Sequence, residues 1–208
     1  MTVNRMTSVL LKQAHLVWIV SIYNIGIGFF IAGFNPIVQS ISEVALEAPA
    51  FAYTHRLADI VIGVSMCGFA LALNLLSSRQ LTFSMVSISL LGLSMVSAGI
   101  WTLENSLHLL YNLSFFMIVA PIACALEFKE MLDSRRFETL CLSVSFLHVF
   151  MFWCIYAGFI PVEYNGLVQR AWAVVTMGWF GVAAYAFTQK SLANKQMQSD
   201  AAKAAPLI

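Results

Sequence analysis

The run from Met85 to Ile100 reads MVSISLLGLSMVSAGI and holds no charged residue. A second uncharged run, IVIGVSMCGFALAL, extends from Ile60 to Leu73. Neither shows the sustained polar/apolar alternation, in segments of roughly 10 residues, that a transmembrane barrel strand requires. A spanning helix needs roughly 20 mostly apolar residues to cross about 30 Å of hydrocarbon. With their flanks, both runs reach that length. Lipid offers the backbone no hydrogen bonds, so each run must satisfy its own N–H and C=O groups, and a helix does so.

Working outward, the rest of the chain has the same character. Of 208 residues, 60% are apolar and only 10% charged, where a soluble domain carries about 25% charged. The mean hydropathy is +0.82. Six apolar segments are expected to span, at about 14–34, 57–76, 81–103, 106–126, 138–160 and 168–188. The expected fold is all-α: one integral membrane bundle of six transmembrane helices over residues 1–190. A polar, frayed cytoplasmic tail at 191–208 would follow.

The basic residues orient the bundle. Arg5, Lys12, Arg79, Lys129, Arg135, Arg136, Lys190, Lys195 and Lys203 fall on one side, leaving Arg56 and Arg170 on the other. The positive-inside rule then puts both termini in the cytoplasm, and an even number of spans agrees. The basic start and apolar centre of the first segment resemble a secretory signal. However, the apolar stretch is longer than a signal core and no small-x-small cleavage site precedes Asn35-Pro36, so a retained helix is expected.

The loops differ in kind. Ser77-Ser78-Arg79-Gln80 and the link around Thr102–Asn105 are short and predict tight antiparallel neighbours. The charged stretch 127–137 reads as a solvated topological anchor. Asn35–Thr54 is too long for a turn and too apolar for a linker, and a short interfacial helix over about Ile37–Leu46 fits it. Pro49 is expected to end that helix and force an extended approach to the second span. Cys67, Cys124, Cys141 and Cys154 lie inside spans without metal-ligand spacing, and read as small apolar residues. The stripe of Ser87, Ser94 and Ala98, with Gly92 and Gly99 nearby, reads as a helix packing face. Asn24, Asn74 and Asn112 read as inter-helix hydrogen-bonding residues.

Chemistry concentrates at the starts of the even-numbered spans, all on the outer side. His55-Arg56-x-x-Asp59 opens the second, Glu104-x-x-x-His108 the fourth, and Arg170 the sixth. Residues four apart share a helix face, which predicts His55 over Asp59 and Glu104 over His108. Arg56 can pair with Asp59, three residues on. Helix starts also suit carboxylates through the macrodipole. Two Arg beside helix N-termini suit an anion such as a lipid phosphate, yet the outer side as a whole is acidic. A cation or a zwitterionic head group is equally permitted. His148 sits mid-span, where an ionisable group is costly; a hydrogen bond to another helix accounts for it, and no His at similar depth completes a haem pair. Metal ligation by His55, Asp59, Glu104 and His108 is the weaker alternative, because no zinc signature is present.

Three stretches carry a family likeness: Pro36-x3-Ser40-Ile41-Ser42-Glu43 with Pro49 downstream; Ala98-Gly99-Ile100-Trp101 followed by Ser106-Leu107-His108; and Asn165-Gly166-Leu167-x-Gln169-Arg170 leading to Trp179. Over about residues 15 to 190 the chain resembles domain-of-unknown-function family 998. Where that family favours an acidic residue before the Arg, this chain has Gln169. The resemblance implies six spans and a prokaryotic cytoplasmic membrane, and brings no activity with it.

The functional expectation is binding or sensing of a lipid head group or small molecule at the outer interface, through His55, Arg56, Asp59, Glu104, His108 and Arg170. The alternatives are an intramembrane metal-dependent lipid hydrolase and a structural or complex-assembly protein. No cofactor is implied. Membrane lipids are the expected partners, with a protein partner or homo-oligomer left open. A net charge of +1 without a broad basic surface argues against nucleic acid.

Overall fold

A computed structural model describes residues 5–77 and 81–204. Helix is its only regular secondary structure among the described residues. In chain order these are α1 (Arg5–Gln13), α2 (His15–Gly26), α3 (Pro49–Leu76), α4 (Phe83–Ile100), α5 (Phe116–Glu127), α6 (Lys129–Leu132), α7 (Arg135–Tyr156) and α8 (Asn165–Ala204). Four 3-10 segments join them: Ile27–Phe30, Ile41–Leu46, Ser106–Phe115 and Val162–Tyr164. Six stretches are long and apolar enough to cross a membrane: Arg5–Phe30, Pro49–Leu76, Phe83–Ile100, Ser106–Glu127, Arg135–Tyr156 and Val162–Met197. The protein is a six-span helical membrane bundle.

The expected hairpin is present: α3 and α4 lie antiparallel and touch along their length. A Cβ on Gly92 would sit 2.7 Å from the Gly63 carbonyl oxygen and 2.8 Å from Cys67 Sγ. A Cβ on Gly99 would sit 2.6 Å from the Arg56 carbonyl oxygen. Such contact is closed to any larger residue. It is how spanning helices gain packing where lipid is as apolar as the partner helix. Ser84, Ser87, Ser94 and Ser97 are buried on α4, so the small-residue stripe is a packing face. The turn at Ser78, Arg79 and Gln80 lies outside the described residues.

α8 packs against α1, α2 and α7. Phe187 meets Phe128 edge-on at 5.0 Å, Phe69 at 5.9 Å and Phe137 at 6.0 Å, joining α8 to three other parts of the chain near its terminal end. Trp179 Nε1 donates to Cys141 Sγ at 3.3 Å. His148 bonds Thr176 on α8 across 2.9 Å, which is the inter-helix partner its mid-span position called for. Outward, Leu142, Phe146, Phe150 and Trp153 of α7 are exposed in the isolated chain, as lipid-facing side chains should be.

Four expectations need correction. The second span does not begin at 57, and the extended approach is only Glu47 and Ala48, directly before Pro49. Pro49 is the first residue of α3, with Ala48 as an extended N-cap; the missing N–H of Pro is harmless in a first turn, whose N–H groups lack partners anyway. The fourth span is 3-10 over its first ten residues, Ser106–Phe115, rather than α throughout. The tail does not fray at 191: α8 continues as helix to Ala204. In the charged stretch, Glu127 is not merely solvated. Its carboxylate accepts from Phe83 N at 2.7 Å, from Ser84 N at 2.9 Å and from the Ser84 hydroxyl. Thr82 Oγ1 accepts from Met85 N at 3.1 Å. Together they satisfy the unpaired N–H groups and positive pole of the α4 start.

Candidate functional site

The end of the bundle opposite the termini is built from the Gly33–Ala48 link, the start of α3, the end of α4 and the start of α8. In the link, Ser40 and Glu43 form a capping box that sets the 3-10 turn Ile41–Leu46. The four carbonyls before it all face α8. Arg170 Nη1 donates to the Pro36 and Gln39 oxygens, each at 2.8 Å. Leu167 N donates to Ile37 O at 3.0 Å and Gly166 N to Val38 O at 3.2 Å. The first-turn N–H groups of a helix have no partner within it; here the link supplies one. Gly166 is required, because a Cβ there would run into the carbonyls of Gln39 and Pro36. Gln169 Oε1 accepts from Ile41 N at 3.3 Å, which is what this chain places where a carboxylate was expected. The Arg170 guanidinium also lies near Phe29 and Phe34, 5.8 and 5.7 Å from the ring centroids.

Arg56 closes the neighbouring corner. Its Nε donates to Gly99 O at 2.9 Å and its Nη2 to Ile100 O at 2.7 Å. These are unpaired carbonyls at the negative pole of α4, a natural place for a cation. His108 Nδ1 bonds Trp101 O at 2.8 Å, and Ser97 Oγ bonds Leu107 O at 3.0 Å. Arg56 therefore makes no pair with Asp59. Glu104 lies exposed in the link before the 3-10 segment, so it shares no helix face with His108.

His55 and Asp59 behave differently. Because α3 starts at Pro49, they lie deeper than the opening turn, beyond the reach of the helix-start dipole. They are 1% and 5% exposed. Asn24 of α2 joins them: His55 Nδ1 donates to Asn24 Oδ1 and Asn24 Nδ2 donates to Asp59 Oδ1, each at 2.5 Å. His55 Nε2 faces Asp59 Oδ2 at 3.4 Å, the predicted four-residue pairing. With Nδ1–H donating to Asn24, two lone pairs would oppose each other unless one proton sits between Nε2 and Oδ2.

Asp59 and Asn24 line a cavity of about 40 Å³ together with Ser21, and with Ile41 and Ser42 of the link. A water needs about 10–15 Å³ by such a measure. The chamber therefore takes a few waters or one small polar group. Its polar lining comprises the Asp59 carboxylate, the Asn24 carboxamide, the Ser42 hydroxyl and the Ser21 hydroxyl, whose proton goes to Val17 O at 2.6 Å.

Of the six sequence candidates, His55 and Asp59 meet. Arg170 bolts the adjoining link in place, while Arg56 and His108 cap α4 and Glu104 stands apart. Among the described residues, no group of three or more His, Cys, Asp or Glu side chains is placed to hold a metal. The four residues of the metal alternative do not form one centre. Asn24, seen in the sequence only as inter-helix bonding, is the residue that assembles the pair; its signal was a carboxamide alone in an apolar span. Glu127 had no sequence signal beyond its place at a span end.

A bundle of six apolar helices long enough to cross a membrane, with a buried Asn24–His55–Asp59 cluster, is a multi-pass integral membrane protein. A family model described as "Protein of unknown function (DUF998)" matches residues 14–186, and the chain belongs to that family. No curated protein and no solved structure matches the chain. Of the three stretches that carried the resemblance, the first and third are bonded to each other, and the second is the end of α4 that Arg56 and His108 cap.

Proposed function

We propose that the protein binds a lipid head group or small molecule at the membrane's outer interface, through the Asn24–His55–Asp59 chamber. The observation that carries this is the opening of a buried carboxylate onto a cavity walled by the link residues Ile41 and Ser42. Ionisable groups within spans are costly and commonly mark ligand or ion paths. The chemistry favours a donor. Arg56 is held by the Gly99 and Ile100 carbonyls and Arg170 by its Nη1 alone, with Nε and Nη2 unpartnered, but neither guanidinium lines the chamber. The chamber presents acceptors and has room for an ammonium or hydroxyl end. An amine-bearing, zwitterionic head group fits best. The distribution of Lys and Arg supports the outward orientation of this end, and the family resemblance suggests a prokaryotic cytoplasmic membrane.

Mass spectrometry of lipids retained by the purified protein tests this reading. The wild type is expected to retain amine-bearing lipids over anionic ones, and Asp59→Asn to lose that preference by about tenfold, which corresponds to about 1.4 kcal/mol. An unchanged profile in Asp59→Asn would reject the site.

A further inference from the structure

A second cavity, of about 140 Å³, lies between α4, the junction of the Ser106–Phe115 segment with α5, and α8. It contains none of the six candidate residues. Leu91, Met117 and Trp172 supply most of its distinctive surface, and Gln169, Ser114 and Thr176 its polar groups. No lining residue is ionisable. Thr176 is already engaged, donating to Trp172 O at 2.9 Å and bonding His148. Gln169 uses its oxygen on Ile41 N, which leaves its amide nitrogen as a donor. The indole N–H of Trp172 is buried and meets no acceptor in the protein. A buried donor without a partner is costly, and Trp N–H groups in such positions usually find one. The ring is also fixed: it stacks on His148 at 6.3 Å, and His148 is itself bonded to Thr176.

The polar groups differ from those of the Asp59 chamber: an unpartnered indole N–H stands here in place of a carboxylate. The size matches an engineered apolar cavity of about 150 Å³ that stays dry and binds benzene. We infer that this cavity is a binding site for an uncharged carbonyl group on an apolar skeleton of about six carbons, with Trp172 Nε1 donating to the carbonyl oxygen. A quinone ring and the ester end of an acyl chain both present this chemistry. The inference does not depend on the Asp59 site, although Met95, Ala173 and Met177 wall both cavities.

The test is titration of the purified full-length protein with two probes, a short-chain benzoquinone and a monoacylglycerol, followed by native mass spectrometry and thermal shift. Wild type is expected to bind at least one probe at one site per chain. Binding of the quinone alone identifies a ring ligand, and of the acylglycerol alone a lipid; either supports the inference. Trp172→Phe keeps the ring but removes the donor, and is expected to weaken binding about tenfold. Ser114→Phe, which fills the space, is expected to abolish it. Asp59→Asn should leave probe binding unchanged even if it empties the other chamber. If neither probe binds wild type, or if Trp172→Phe binds as tightly as wild type, the inference is overturned.

Discussion

Asn24 shows what a single residue contributes here. It accepts from His55 and donates to Asp59, so one carboxamide on α2 ties together two groups that α3 alone would only stack. Its replacement by Leu, similar in size, leaves two buried polar groups each short of a partner. That is expected to cost about 2–6 kcal/mol in all, at roughly 1–3 per orphaned group, read as a lowered unfolding midpoint in detergent. Equal stability of Asn24→Leu and wild type would show that the triad contributes nothing. Glu127 makes a similar case at the opposite end. Glu127→Gln removes the charge that the α4 start attracts and is expected to lose about 1.5–3 kcal/mol, the range for hydrogen bonds to charged groups; a thermal melt checks it. The His55–Asp59 pair was legible because four-residue spacing on a helix is a local property. Asn24 was not assigned to it, because sequence spacing does not tell which face of α2 meets which face of α3. Arg56 was legible as a polar residue near a helix start, but its partners are backbone carbonyls of another helix, and carbonyls leave no mark in sequence.

Among the elements, the α3–α4 hairpin is the most firmly specified. Small residues on α4 announced a packing face, and Gly63 on α3 supplies the facing gap. Gly92→Val would drive a branched side chain into the Gly63 carbonyl and Cys67. Overpacking of this sort costs about 1–3 kcal/mol, so the variant is expected to unfold at lower temperature, and Cys67→Ala should recover only part of the loss. A wild-type melt for Gly92→Val would contradict the close approach. The link and the α8 start were half legible. The capping-box residues and Gly166-Leu167 stood out as motifs, yet nothing in either segment states that the carbonyls of one receive the N–H groups of the other. Pro49 was half read, for a physical reason: it does follow extended residues, but the same fixed φ that ends one helix also starts the next, so the second span begins at Pro49 itself.

For the whole molecule, composition and run length were enough to read six spans, because the lipid environment allows so few alternatives. Orientation rests on Lys and Arg placement. A reporter active only outside the cytoplasm is expected to be active when fused in the link at Val162 and inactive when fused after Lys195; the reverse pattern would invert the bundle. The central claim is that the Gly33–Ala48 link and the α8 start form one closed unit over the Asp59 chamber, with Arg170 as its bolt. Hydrogen–deuterium exchange of wild type and Arg170→Gln in lipid nanodiscs tests this most directly. The account predicts that the amides of Ile41, Gly166 and Leu167 are protected in wild type and lose protection together in the variant, while the middle of α3 and α4 stays unchanged. Protection of those three amides that is indifferent to Arg170, or that is absent from wild type, would contradict it.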